Sequence, residues 1–423
     1  MILSKYNHLF TRNDKNYIFN SETCFFCEIS KSVYDLIKDR DFDLLDVDTL
    51  NLLKDKKVLI ESSQKDNFFF EDKLKHQLKS FNQDILSLIL VPTLLCNFDC
   101  PYCFESNKIN SKIDHSFIDK LIRFINEHEK AKKIAITWYG GEPLLGFRQI
   151  QEILSNIEKI EDKIIISQSL VTNGYLLSSK IIDYFKKHKL TSIQITIDGE
   201  EDTHNNTRFL KKSLKPTFKT IVSNIDNLVD IFPECKISIR ININKNNMDE
   251  YISLNKKMTE KWGNKVIIYP GFIRQDTRDG RSLCSSSIFS DEIFSFYQTL
   301  RKNGIQQNLY PKKVVKGCMI NSINSYIIGP KGEIYKCWND VSNEDKIIGY
   351  IDRKEIINKE LFHRYLNISP FEDKKCRECF LLPLCSGGCG WYRYRNIYEK
   401  GKFDLCDFKK NTENLEEILL SSL

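Results

Sequence analysis

Six short runs of aliphatic and β-branched residues constrain the fold of this 423-residue chain more than any other feature. They alternate with segments of helical spacing, and near-continuous apolar runs are typical of parallel strands buried on both faces. Strands that alternate with helices predict an α/β fold, either a partial barrel or an open sheet. The runs are ILSLILVP, KIAITWYGG, KIIISQSLVTNG, SIQITIDG, KISIRININ and KVIIYPGF, and the predicted helices cover residues 114–130, 147–160, 178–188, 216–231 and 249–262.

The chain before this region has a different pattern. Two short strands are predicted around a turn at Asn13 and Asp14, and two helical segments follow with Ser30 and either Asp46 or Asp48 as N-caps. The stretch NFFFED is interpreted as a wing strand. Strands, helices and a wing together predict a winged-helix-like module.

Beyond about residue 310 the strand–helix alternation stops and cysteines become frequent. A segment with little apolar sequence of its own is typical of small domains held together by metal ions or clusters. We therefore predict three domains, which cover residues 1–83, 84–310 and 311–423.

Composition excludes several classes of function. No run of about 18 apolar residues is present, so no membrane span is expected. The first residues lack the pattern of a secretion signal, which favours a cytoplasmic location. The net charge is +6 and the lysines are spread along the chain. Without a basic stripe, no nucleic-acid partner is expected.

The fourteen cysteines are unusual for a cytoplasmic chain. A reducing compartment disfavours disulfides, and clustered cysteines there are more often ligands of metal ions or clusters. Ten of them fall into groups with ligand-like spacing. The other four are Cys24, Cys27, Cys235 and Cys284. Cys24 and Cys27 have the spacing of a redox pair, but no second pair completes it, and we interpret them as buried or half-buried thiols.

The stretch TLLCNFDCPYCFESN holds the first group, Cys96, Cys100 and Cys103. Three thiolates can bind a [4Fe–4S] cluster through three irons and leave the fourth iron open for an exogenous ligand. The spacing alone is also compatible with a zinc knuckle that lacks one ligand.

Polar and glycine residues follow the next three predicted strands. Because the carboxyl ends of parallel strands meet at one edge, these residues should lie near the cysteines. Glycines let backbone approach a ligand, and the side chains suit amino, carboxylate and ribose groups. The residues are Gly140, Gly141, Glu142 and Pro143, then Thr172 and Asn173, then Thr196 and Asp198.

The three cysteines with GGEP at 140–143 resemble the radical S-adenosylmethionine superfamily over residues 86–310. The resemblance implies a partial (β/α)6 TIM-type barrel. It also implies that the open iron chelates S-adenosylmethionine, which one electron cleaves to a 5′-deoxyadenosyl radical. By likeness, Glu142 contacts the methionine amino group, the Tyr102 backbone contacts adenine, Thr196 and Asp198 face the ribose, and Arg208 and Arg240 are carboxylate candidates.

Seven tail cysteines, in this order and spacing, resemble the SPASM domain of radical enzymes that act on peptides and proteins. The match covers residues 316–408 and implies two auxiliary [4Fe–4S] clusters, for a total of three. Zinc is the alternative for the pair Cys376 and Cys379 taken alone. By likeness, Cys376, Cys379, Cys385 and Cys406 bind one cluster, and Cys318, Cys337 and Cys389 bind the other.

Two departures bear on the reaction. Sulfatase-maturing enzymes resemble one another in an extra cysteine after the first tail cysteine and in an Asp after the cysteine matched to Cys337. Here the extra cysteine is missing and Trp338 follows Cys337. The first auxiliary cluster is therefore expected to have an open iron, unless Asn324 or Asp340 closes it.

Residues 1–83 resemble the leader-recognition modules of enzymes that modify ribosomally made peptides, and a structural extension is the alternative. The predicted function is a maturase that installs an intramolecular crosslink. A thioether is the favoured product, and a carbon–carbon or carbon–oxygen bond is the alternative. The expected partners are a precursor peptide with its leader and a flavodoxin- or ferredoxin-type reductant. The rival interpretations are a formylglycine-generating sulfatase maturase and a non-enzymatic iron–sulfur protein that binds peptide or transfers electrons.

Overall fold

The computed structural model describes residues 1–103, 113, 115–243, 247–273, 286–305, 308–314, 317–406 and 408–423. Cys284 lies outside these residues. The amino-terminal region contains a three-stranded antiparallel sheet, a separate two-stranded pair and helices. Its strands are β1 Ile2–Leu3, β2 Asn7–Arg12, β3 Lys15–Asn20, β4 Phe25–Ile29 and β5 Leu59–Ile60, and its helices are α1 Lys31–Asp39, α2 Val47–Asp55 and α3 Asn67–Ser80.

Local signals in this region are confirmed. Asn13 and Asp14 both have positive φ, 49° and 59°, and connect β2 to β3, as expected for a tight hairpin. Ser30 caps α1 by accepting a hydrogen bond from a backbone N–H, and Asp46, not Asp48, does the same for α2.

The predicted wing strand is wrong, because NFFFED forms the first turns of α3. Phe69 packs against Phe371 of the tail, and Phe68 packs edge-on against Tyr6. Adjacent residues lie on different sides of a helix, so two neighbouring aromatic residues can both be buried when both sides are covered. Contacts with a remote part of the chain therefore decide the secondary structure of this segment.

The predicted α/β region is confirmed. Its six strands are parallel and pair in chain order, so each strand–helix unit lies beside the one before it. The strands are β6 Ile85–Leu90, β7 Lys133–Trp138, β8 Ile164–Thr172, β9 Ser192–Ile197, β10 Lys236–Ile243 and β11 Val266–Phe272. The helices are α4 His115–Glu127, α5 Phe147–Ile157, α6 Ser179–Lys187, α7 Glu201–Thr207, α8 Phe218–Ile231, α9 Met248–Trp262 and α10 Ser286–Lys302.

Side chains alternate between the two faces of these strands. On β7, Ile134, Ile136 and Trp138 are buried in the large core that the helices cover. Tyr139, which directly follows β7, packs on the other face with Ile89. In parallel α/β folds ligands bind at the carboxyl ends of the strands, which here carry Gly140, Thr172 and Asp198.

The tail extends the same sheet instead of forming a separate core. Strand β12 pairs in parallel with β6, and the next two strands continue the sheet in antiparallel order. The sheet thus has nine strands within the described part of the chain, with β11 at one edge. The tail elements are β12 Ser325–Ile328, β13 Glu333–Tyr335, β14 Gly349–Tyr350, α11 Lys359–Leu366, α12 Lys374–Arg377, α13 Leu382–Cys385, α14 Gly390–Tyr398 and α15 Thr412–Leu420.

The last helix, α15, fastens the tail to the amino-terminal sheet. Leu415 and Leu419 are buried in one apolar cluster with Phe10 of β2. Glu416 accepts hydrogen bonds from Arg12 at 3.0 Å and lies 3.0 Å from the His8 ring. None of the helices the structure describes is long and apolar enough to cross a membrane.

Candidate functional site

The loop that carries the first three cysteines is locked against the end of β7. A Cβ on Gly141 would lie 2.5 Å from the carbonyl oxygens of Leu94 and Leu95, and Gly140 has a φ of 138°. A side chain on Gly141 would clash with this backbone, and the positive φ of Gly140 is one that favours glycine. The Glu142 N–H also donates to the Leu95 carbonyl at 2.9 Å. The two glycines therefore hold the cysteine loop in place.

The thiols of Cys96, Cys100 and Cys103 are half-buried at this end of the sheet. Cys96 Sγ accepts a hydrogen bond from the Phe98 N–H at 3.4 Å and from the Asn173 amide at 3.9 Å. Amide donors to sulfur are a known influence on iron–sulfur clusters, so the surroundings fit a cluster thiolate. Among the described residues, no three His, Cys, Asp or Glu side chains converge on a single metal ion.

Glu142, which follows β7, is hydrogen-bonded to residues at the end of β8. It is fully buried and accepts hydrogen bonds from the Thr172 hydroxyl at 2.7 Å, the Asn173 N–H at 2.8 Å and the Leu144 N–H at 3.0 Å. Burial raises the pKa of its carboxyl, and the three donors oppose that rise. A carboxylate has about four acceptor positions, so about one is left for a ligand amino group. Pro143 begins the short helical turn that follows.

Tyr102, Asp198, Arg208 and Asn242 form a polar cluster on the inner face beneath the cysteine loop. Arg208 donates to the Tyr102 hydroxyl at 2.9 Å and lies 3.7 Å from Asp198. The Tyr102 hydroxyl in turn donates to Asp198, and the Asn242 amide donates to Tyr102 at 3.3 Å. Burial alone would lower the pKa of Arg208, but Tyr102 and Asp198 raise it, so the guanidinium is charged.

Two atoms of this polar cluster are buried without a hydrogen-bond partner among the described residues. They are Oδ1 of Asp198 and Nε of Arg208. Buried polar atoms are normally paired, so an unmatched acceptor and donor together fit a polar ligand. This observation supports the expected ribose and carboxylate contacts, which stay predictions.

The remaining predicted residues lie beside the polar cluster. Thr196 and Arg240 pair in register on β9 and β10. Arg240 donates to Asn242 at 2.9 Å, and its side chain lies on Gly271, where a Cβ would come within 2.2 Å of Nε. His204 is buried behind Asp198 and close to Thr217, and burial followed by the nearby Arg208 charge lowers its pKa to about 3.

Sequence reasoning missed Asn242. The signal was available, because Asn242 is an amide near the carboxyl end of an otherwise apolar run, where ligand contacts gather in parallel folds. Asn97, within the cysteine loop, was missed as well. It accepts from the Asn173 amide at 2.8 Å.

Six of the seven tail cysteines show electrostatic coupling within the groups that the resemblance implies, and their assignment to clusters stays a prediction. Burial raises the pKa of the Cys337 thiol well above its usual value, and the charges of Asp340, Cys318 and Cys389 raise it further. In the other group burial raises the pKa of Cys379, and Cys406 adds to the rise.

Backbone and arginine donors reach the second group of tail cysteines. Arg393 donates to Cys376 Sγ and the Gly387 N–H donates to Cys385 Sγ, both at 3.3 Å. Arg393 is itself held by Asp373. Donors of this kind fit cluster thiolates.

The two candidates for a fourth ligand are engaged elsewhere. Asp340 is buried and accepts hydrogen bonds from the Tyr365 hydroxyl and the Trp391 indole, both at 2.7 Å. Burial raises the pKa of its carboxyl to about 6. Asn324 donates to the Gln83 carbonyl, at the amino end of β6. Neither arrangement favours ligation by these side chains.

Residues 90–256 match the family described as the Radical SAM superfamily. The matched stretch runs from the end of β6 into α9 and includes Cys96, Cys100, Cys103 and GGEP. This chain therefore carries a radical S-adenosylmethionine domain, as the resemblance predicted.

Particular relatives extend the likeness beyond that domain. The chain is 24% identical to radical SAM cyclopropyl synthase TigE of Paramaledivibacter caminithermalis, over 96% of this chain and 94% of that protein. It is 26% identical to a cysteine-type anaerobic sulfatase-maturating enzyme of Clostridium novyi, over 72% and 87%.

Two solved structures share the fold. One is anSMEcpe with bound AdoMet and Cp18Cys peptide, with a TM-score of 0.62 and 19% identity, over 80% of this chain and 97% of that chain. The other is Streptococcus suis SuiB bound to precursor peptide SuiA, with a TM-score of 0.54 and 15% identity, over 96% and 99%. The radical SAM α/β fold with a mixed sheet is thereby established.

Proposed function

We propose that this chain is a radical maturase of a ribosomally synthesised peptide. The observation that carries the proposal is the cysteine loop at Cys96, Cys100 and Cys103, held by Gly140 and Gly141 above the polar cluster. The relatives support it, since SuiB binds a precursor peptide and anSMEcpe binds both AdoMet and a peptide.

Cys96, Cys100 and Cys103 would hold a [4Fe–4S] cluster with one open iron. When bound, the cluster supplies the electron that cleaves S-adenosylmethionine to a 5′-deoxyadenosyl radical. Glu142 would accept from the ligand amino group with its remaining position. Asp198 and Arg208 offer their unmatched acceptor and donor to the ribose and carboxylate groups.

The tail would act as a SPASM domain with two auxiliary clusters. The electrostatic coupling of Cys337 with Cys318 and Cys389 and of Cys379 with Cys406, together with the donors on Cys376 and Cys385, supports this assignment. A flavodoxin- or ferredoxin-type protein would supply electrons. The domain limits 1–83, 84–310 and 311–423 belong to the same proposal, although the tail shares the barrel sheet.

Residues 1–83 would bind the leader of the precursor peptide. Strand β4 lies at an edge of the three-stranded sheet, and an extended peptide can add to such an edge through main-chain hydrogen bonds. α15 ties this sheet to the tail, so a bound leader would be fixed relative to the auxiliary clusters.

The product would be an intramolecular crosslink. The grouping of Cys318, Cys337 and Cys389, with Asp340 and Asn324 engaged elsewhere, supports an open auxiliary iron that binds a substrate thiolate, and thus a thioether. The near full-length likeness to a cyclopropyl synthase supports carbon–carbon bond formation as the second candidate. Trp338 in place of an Asp counts against formylglycine formation.

Anaerobic reconstitution with iron and sulfide, followed by S-adenosylmethionine and dithionite, tests the proposal. We expect 5′-deoxyadenosine to form, and a non-enzymatic iron–sulfur protein would form none. Co-expression with a candidate precursor peptide should then give a peptide lighter by two hydrogens. A loss of sulfur with a gain of oxygen at a cysteine would instead favour the sulfatase-maturase alternative.

A further inference from the structure

A single arginine of α14, Arg393, connects two thiols of the second group of tail cysteines. Its guanidinium donates to Cys376 Sγ at 3.3 Å and, from the same nitrogen, to the Gly387 carbonyl at 2.7 Å. The Gly387 N–H in turn donates to Cys385 Sγ at 3.3 Å. A continuous path of hydrogen bonds therefore runs from one thiol to the other through Arg393. The second group consists of Cys376, Cys379, Cys385 and Cys406.

Arg393 is buried, so water screens its charge poorly. The residue is 3% exposed, and a guanidinium is always charged in proteins. A buried charge normally needs a partner, and Asp373 supplies one, with its carboxylate 2.5 Å from the guanidinium. Asp373 also accepts a hydrogen bond from the Lys375 N–H at 2.9 Å, at the start of α12, which carries Cys376. The ion pair is therefore fixed to the helix whose thiol it faces.

The contact with sulfur distinguishes Arg393 from an arginine that only joins two segments. The Asp373 carboxylate and the Gly387 carbonyl already pair the guanidinium, which would suffice for a structural link. Arg393 also directs a charged donor at a thiol, and hydrogen bonds of charged groups are roughly twice as strong as neutral ones. Net charge and hydrogen bonds to the sulfurs are among the factors that set the reduction potential of an iron–sulfur cluster.

We propose that Arg393 is a positioning residue that raises the reduction potential of the cluster bound by the second group. The inference rests on the proposed function, which assigns a cluster to these cysteines. Reduction adds one electron to a cluster. A buried positive charge beside a ligand sulfur stabilises the form with the additional negative charge. The carboxylate of Asp373 acts in the opposite sense, so the effects of the two side chains carry opposite signs.

A redox titration followed by electron paramagnetic resonance tests the inference on the full-length chain reconstituted with iron and sulfide. The background is the triple substitution of Cys96, Cys100 and Cys103 by Ala, so that only the two auxiliary clusters contribute to the signal. Iron analysis of each variant shows whether both clusters are present. The readout is the pair of reduction potentials, which does not depend on activity.

Arg393→Gln should shift one of the two reduction equilibria about tenfold toward the oxidised form, which is about 59 mV for a one-electron couple. The other potential should stay unchanged. Arg393→Lys keeps the charge but loses the planar fork, so its shift should be smaller. Asp373→Asn keeps a side chain that can cap α12 but removes the negative charge, so the same potential should rise.

The matched control is Arg377→Gln, which removes the same formal charge next to the same thiol. Arg377 directly follows Cys376, but it is exposed and its guanidinium lies over the Phe69 ring, 5.0 Å from the centroid. Water and salt screen an exposed charge, so both reduction equilibria should change by less than about twofold.

Unchanged potentials in Arg393→Gln would overturn the inference alone. A shift of the same sign in Arg393→Gln and Asp373→Asn would do so as well, because it would reflect the loss of a structural link and not the loss of a particular charge. If Arg393→Gln loses about four irons, the rise in Asp373→Asn decides, and its absence overturns the inference. A background that binds no iron–sulfur cluster would instead overturn the tail assignment in the proposed function and the inference with it.

Discussion

The polar cluster and an apolar wall are held together by different forces. The apolar wall is the buried set of Ile89, Val91, Leu94, Ile327, Tyr335 and Val341. In the polar cluster, Arg208, Asp198 and Tyr102 are buried in mutual contact, and each depends on the others to remain charged or paired. In the apolar wall, Ile89, Ile327 and their neighbours gain from burial and close packing.

The difference teaches how two parts of one sheet respond to substitution. Buried charges are costly unless paired, so the polar cluster is specific and sensitive to single substitutions. Apolar packing has no required partner, so the wall tolerates changes of similar volume. We expect the polar side to take the charged cofactor.

The largest expected effect comes from removing the thiols above the polar cluster. The triple substitution of Cys96, Cys100 and Cys103 by Ala should lower iron from about twelve to about eight per chain and abolish 5′-deoxyadenosine formation. Iron analysis and product chromatography measure both. The control Cys27→Ala removes a half-buried thiol of β4 and should change neither. Unchanged iron content in the triple variant would show that these cysteines do not bind a cluster.

The next effect is on the stability of the polar cluster. Asp198→Ala leaves Arg208 buried without its carboxylate, which should lower the free energy of unfolding by about 3–5 kcal/mol. Urea unfolding of the metal-free chain measures it. The control Asp162→Ala breaks the exposed pair with Lys132, 2.6 Å apart, and should shift the midpoint little. Equal shifts in both variants would contradict the contrast between buried and exposed charges.

A pH dependence sharpens the comparison further. The folded chain holds the pKa of His204 at about 3, below its ordinary value of 6.5, so only the unfolded chain takes up this proton as pH falls below 6.5. Stability should therefore fall by about 1.4 kcal/mol per pH unit below that value from this group. His204→Gln should remove that part of the slope in urea midpoints between about pH 5 and pH 7. The control His363→Gln, at an exposed position of α11, should keep it, and an unchanged slope in His204→Gln would refute the assignment.

The smallest effect is expected in the apolar wall. Ile327 is fully buried, and Ile327→Val should cost only about 0.5–1.5 kcal/mol of unfolding free energy. The pH slope should match that of the native chain, because the substitution changes no titratable group. Urea unfolding at two pH values measures both. A loss as large as that of Asp198→Ala would erase the distinction between the two sides.

Local signals in the sequence predicted much of the fold. The six apolar runs became parallel strands in chain order, and Asn13, Asp14, Ser30 and Asp46 took the expected turn and cap positions. These signals depend on residues within a few positions of one another, so they can be read without the tertiary structure. The radical SAM domain was likewise evident from one cysteine motif and GGEP.

Long-range contacts decided the rest. NFFFED forms a helix because remote partners, Phe371 among them, cover it. The tail extends the α/β sheet because β12 pairs with the edge of β6. The cysteine spacing by itself determined which thiols could act as ligands. Only the tertiary structure decided that Asp198 and Arg208 share a buried site and that Trp338 meets Tyr139, because these residues are far apart in sequence and their contact depends on how the strands pair.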